Sequence, residues 1–112
     1  MRTVEIPAKD WSRTLDEFSA THEGAVVSLE LFAPALGAQP EVHDLPLLGI
    51  TVESGADDSA ITIAAGRSPD AHITHIIRSP TTVRIERTND GTDVALEIES
   101  AEGTTALLRV QP

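Results

Sequence analysis

Val83-Arg84-Ile85-Glu86-Arg87-Thr88-Asn89-Asp90-Gly91-Thr92-Asp93-Val94-Ala95-Leu96-Glu97-Ile98 is the most legible stretch of the chain. Asp90-Gly91 is a two-residue hairpin signal, because the favoured turn needs positive φ at both positions. Folding about that pair sets Val83 opposite Ile98, Ile85 opposite Leu96 and Arg87 opposite Val94. It also sets Arg84 opposite Glu97. Apolar meets apolar on one face and opposite charges meet on the other, which supports the register. The next turn offers two choices. A Glu102-Gly103 loop puts Leu96 opposite Arg109. A longer Ala101-Glu102-Gly103 loop puts Leu96 opposite Leu108 and Val94 opposite Val110. The second keeps the faces consistent and gives Gly103 the left-handed conformation. It leaves Leu107 beside Glu97 on the outward face, in want of cover.

Upstream, apolar residues alternate through Val27, Leu29 and Leu31, the period of a half-buried strand. Pro34, Gly37 and Pro40 then interrupt the chain. Leu47–Glu53 reads as a strand entered at Pro46, with Gly49 at a bulge. Residues 54–58 read as a loop. Ile61 and Ile63 mark another strand, 66–70 a turn, and His72–Ile77 a further strand ended by Ser79-Pro80. Before all of these, Trp11, Leu15 and Phe18 recur at i, i+4 and i+7, one stripe of an amphipathic helix. Pro7 opens it and Gly24 closes it, so a helix is expected over about 8–22. The stripe should dock on the sheet of the same chain, since the short Gly24 turn lets the helix fold back.

The expected fold is α+β, a single domain over 1–112. An N-terminal amphipathic helix packs on a strongly bent antiparallel sheet, or a small open barrel, of about six strands between 25 and 110.

Composition limits the function. The chain of 112 residues holds 18 Asp plus Glu against 8 Lys plus Arg, a net charge of -10. That balance argues against nucleic acid, whose binders draw affinity from neutralising phosphate. Cysteine is absent, which excludes disulfides, a thiol nucleophile and Cys-ligated metals. No apolar run approaches the roughly 18 residues of a membrane-spanning helix. No apolar stretch of signal-peptide length follows Met1 and Arg2, so the cytoplasm is the expected compartment. The charge is uneven: residues 14–66 carry -9 with no Lys or Arg, whereas residues 67–87 carry +2 and hold His72 and His75.

Several blocks together are familiar. They are Ile6-Pro7 with Trp11, Leu15-Asp16, Phe18-Ser19 and His22-Glu23-Gly24; Gly37-Ala38-Gln39, Leu45-Pro46-Leu47 and Gly49-Ile50-Thr51; then Thr74-His75, Pro80, Leu96 to Ser100, and Leu107-Leu108-Arg109. In this order and spacing the chain resembles a family of short bacterial proteins of unknown function, over nearly its whole length. Ala25 and His43 depart from the resemblance, which leads one to expect Trp and Arg there. It implies a small domain and no assigned activity, catalytic residue or cofactor.

Chemistry-bearing motifs are sparse. His72 and His75 at i, i+3 would share a helix face, but on a strand they point to opposite faces and cannot hold one metal. On that strand Ile73, His75 and Ile77 are expected to face the core, leaving His75 partly buried. No nucleophile elbow accompanies the serines. Glu97 and Glu99 share a strand face, where solvated acids are the expected role rather than a glycosidase pair. No catalytic, cofactor or metal residue is therefore assigned. The leading expectation is a non-enzymatic interaction module that forms a homodimer, with strand edges and Leu107 as its surface. The alternative is a small-molecule or anion-binding domain using Arg67, His72, His75, Arg78 and Arg84. A closed pocket lined by these basic residues favours the second, and a flat apolar patch the first.

Overall fold

The structure is a computed structural model that describes residues 1–54, 59–68 and 70–111. Among the described residues the chain runs β1 (Arg2–Ile6), a 3-10 turn (Ala8–Asp10), α1 (Trp11–His22), β2 (Val26–Ala33), β3 (Gly37–Ser54), β4 (Ser59–Ser68), β5 (Ala71–Arg78), β6 (Pro80–Arg87), β7 (Asp93–Ser100) and β8 (Thr105–Val110). The strands form one sheet in the order β1-β6-β7-β8-β2-β3-β4-β5. Every neighbouring pair is antiparallel.

This corrects the expected fold class. The protein is mostly β, with one short helix on an open eight-stranded sheet, rather than an α+β domain of about six strands or a small barrel. Two features account for the difference. β1 has only Val4 and Ile6 as apolar residues, and it pairs with the distant β6, Val4 facing Ile85 and Ile6 facing Val83. β3 is 18 residues long. It pairs with β2 along its first half and with β4 along its second, so Pro40 lies within a strand rather than ending one. Leu29 and Glu30 of β2 face Val42 and Pro40, which leaves Glu41 of β3 unmatched as a bulge, and a proline is tolerated beside a bulge. Against β4, a shift between Leu47 and Gly49 is the expected bulge. β4 reaches Ser68, so most of the expected 66–70 turn is strand. Pro69 of that turn, and residues 55–58 of the expected loop, lie outside the described residues.

The C-terminal meander keeps its expected inner register. Val83 faces Ile98, Arg84 faces Glu97 and Ile85 faces Leu96. Leu96 faces Leu108 across β8, as the longer turn requires. The first hairpin differs at its end. Arg87 faces Asp93, not Val94. Thr88 N–H donates to Thr92 O at 2.9 Å, and Gly91 has φ +90°. The loop is thus Asn89-Asp90-Gly91, one residue longer than expected, and unmatched Val94 absorbs the slip as a bulge. The expected Val94–Val110 pair lies one step beyond the ladder, which ends at Ala95–Arg109.

The helix stripe packs on its own chain. Trp11, Leu15 and Phe18 are buried with Val27, Leu29, Leu47, Ile50, Ile63, Ile85, Leu96 and Ile98 in one core. Leu15 is wholly inaccessible. Burial of each such side chain contributes roughly 1.5–3 kcal/mol. Two polar contacts set the helix position. Trp11 Nε1 donates to Ile6 O at 2.9 Å. Ser19 Oγ accepts the Ile50 N–H at 2.8 Å, satisfying the donor beside the Gly49 bulge.

Candidate functional site

The five basic residues singled out in the sequence do not converge. Arg84 lies on the outer face of β6, where its guanidinium meets Glu99 at 2.9 Å, Glu97 at 3.0 Å and Glu5 at 3.6 Å. The Glu99 hydrogen bond, ahead of the opposing effect of desolvation, holds its pKa above the ordinary Arg value, with Glu97 adding to it. Three carboxylates thus engage the charge of Arg84. Arg67 is exposed near the end of β4. His72 faces Gly66 across β4 and β5. A Cβ on Gly66 would stand 2.5 Å from Ala71 O and 2.5 Å from His72 Cα, so the close approach of the two strands requires glycine.

His75 faces Ile63 and is half-buried on the core side, as expected. His72 falls on the opposite face, so the two imidazoles do not share a ligand position. Among the described residues no group of three or more His, Cys, Asp or Glu is arranged to hold a metal ion. His75, Ile76 and Arg78 line a cavity of about 220 Å³ that β5 shares with the β7–β8 turn, Leu31 and Ala106. Glu102 shares that wall, which counts against an anionic ligand.

β5 is an edge of the sheet, with β4 as its sole ladder neighbour among the described residues. Ile73 is 43% exposed and Ile76 is 45% exposed. They lie on opposite faces of the strand. Leu107, in contrast, is half-buried between Glu97 of β7 and Glu30 of β2. Arg109 pairs with Glu30 beside it.

A second constellation was not legible in the sequence. His22 Nε2 lies 3.0 Å from Asp93 Oδ2, and Arg87 Nε donates to Asp93 Oδ1 at 2.8 Å. The Phe18 ring lies against the imidazole, centroids 4.5 Å apart. Burial pushes the Asp93 carboxyl up. The hydrogen bonds and charges of Arg87 and His22 outweigh it and leave its pKa below the ordinary value. The cluster separates a cleft of about 120 Å³, lined by Thr14, Phe18 and Arg87, from an open one of about 670 Å³. Ala25, Val94 and Val110 give the larger cleft an apolar wall, and Thr88, Thr92 and Gln111 give it a polar side. His22 is 71 residues from Asp93, so no spacing rule joins them. The available signal was Arg87 and Asp93 flanking a tight turn, and the two-residue turn expected there set Arg87 against Val94 instead.

No helix among the described residues is long and apolar enough to cross a membrane. The chain is 30% identical over 112 residues to an uncharacterised protein of Aquifex aeolicus, covering 100% of this chain and 95% of that relative. No solved structure matches it. Residues 2–112 match the profile described as "Family of unknown function (DUF5335)". With that match over nearly every residue, as the sequence blocks led one to expect, the chain belongs to this family of unknown function.

Proposed function

We propose that the protein is a non-enzymatic interaction module that associates with a second copy of itself. The carrying observation is the free β5 edge with one isoleucine exposed on each face. An edge strand presents unpaired N–H and C=O groups, which make it a template for another strand. Isoleucine on both faces adds apolar area to be buried on pairing. The titratable groups that do meet, Arg84 with its glutamates and Asp93 with His22 and Arg87, are engaged with one another. Leu107 is not part of that surface, because its neighbours already half cover it.

Sedimentation equilibrium from micromolar to about 1 mM tests the reading, a Kd of about 1 mM corresponding to roughly −4 kcal/mol of association. A concentration-dependent dimer is expected. Ile76→Lys, at an exposed position, should weaken it at least about tenfold, or ~1.4 kcal/mol, without changing the circular dichroism spectrum. A monomer across the whole range defeats the proposal.

One observation favours a ligand-binding reading at a different place from the basic segment. The cleft beside His22, at about 670 Å³, falls within the roughly 300–1,000 Å³ of small-molecule sites. Native mass spectrometry separates the two readings: a small-mass adduct on the monomer supports the cleft, and a doubled mass supports self-association.

A further inference from the structure

We infer that the two copies pair β5 to β5, antiparallel, about a two-fold axis through Thr74. The inference rests on the self-association proposed above and specifies its geometry. A two-fold axis normal to the sheet reverses strand direction and preserves the faces. Residues directly opposite must then point to the same side, so the axis passes through a residue and not between two. Within Ala71–Arg78 two axes leave seven residues paired, one through Thr74 and one through His75. Axes further along shorten the overlap.

Charge separates the two. About His75, each Arg78 lies opposite His72 of the second copy, and His75 lies opposite itself. That register brings no carboxylate opposite Arg78. About Thr74, each Arg78 lies opposite Asp70 of the second copy. Both residues are exposed: Arg78 is the last residue of β5, and Asp70 is the turn residue just before its start, one step beyond the seven paired positions. Opposite charges directly across an antiparallel pair stabilise it and like charges destabilise it. The Thr74 axis therefore gains two ion pairs. It also sets Ile73 opposite His75 on one face and His72 opposite Ile76 on the other, so each exposed isoleucine packs on a ring. The threonine at the centre is β-branched and faces its own copy, a pairing common in sheets.

The chain has no cysteine, so Thr74→Cys introduces one thiol per copy. On the axis the two thiols fall directly opposite, within the span a disulfide bridges. Mild oxidation should convert Thr74→Cys almost wholly to a disulfide dimer. Thr81→Cys, exposed on β6, should cross-link far more slowly. Asp70→Arg and Arg78→Asp should each weaken the dimer about tenfold. The double variant, which restores opposite charges, should recover most of the loss. A dimer whose affinity ignores both charge reversals, and in which Thr74→Cys links no faster than Thr81→Cys, overturns the register and leaves self-association standing. A chain monomeric to about 1 mM removes both.

Discussion

Asp93 is a largely buried carboxylate whose ionisation is tied to the fold. It is 17% exposed and receives hydrogen bonds from Arg87 and His22. Burial alone would raise its pKa, but those two partners lower it below the unfolded value. A depressed carboxylate pKa contributes stability that is present above the unfolded pKa, about 3.9. That stability is lost as pH falls through the folded value. Asp93→Asn should therefore destabilise the protein at neutral pH by about 1–3 kcal/mol, the range for a buried charged hydrogen bond. The gap from the natural chain should close below about pH 4. Urea titrations at pH 7 and pH 3 check this, and an equal gap at both would show that Asp93 titrates alike folded and unfolded. Arg84 differs in kind. It is half-buried among three glutamates on the outer face of the sheet, where solvent still screens much of the attraction.

Among the elements, the attachment of β5 depends on one position of β4. A Cβ on Gly66 would collide with backbone atoms of Ala71 and His72 at 2.5 Å, and backbone cannot rotate away as a side chain can. Gly66→Ala should force the start of β5 off β4 and cost about 1–3 kcal/mol, as overpacking does. The change should appear in hydrogen exchange as early opening of 71–78, with β6, β7 and β8 still protected. Uniform protection would mean that the strands part without cost. α1 is anchored differently, by Ser19 on the Gly49 bulge and by Trp11 on Ile6. The sequence showed the apolar stripe and the bulge glycine separately. Only packing showed that the Ser19 hydroxyl satisfies the donor next to that bulge.

The whole molecule carries a net charge of -10. Phosphate binding needs cations to displace counterions, and here the strongest cationic clusters are taken up by acids on neighbouring strands. Fluorescence anisotropy should show no binding to duplex DNA up to about 10 μM at physiological salt. A salt-sensitive rise would mean that the positive charges of 67–87 act together despite their placement. The sequence by itself determined the C-terminal meander, the helix stripe and the two faces of His72 and His75. Each depends on contacts within a turn or on a local period, and such contacts are few residues apart. Tertiary structure alone decided the rest. β1 became a strand because β6 offers it partners about eighty residues away, Val4 meeting Ile85. Pro40 stayed within β3 because the chain bulges beside it at Glu41, where a proline's missing donor is tolerated. His22 met Asp93 because a one-residue longer loop turned that carboxylate opposite Arg87, beneath the end of the helix. Long-range pairing energy is shared between two segments, so neither segment read alone contains it.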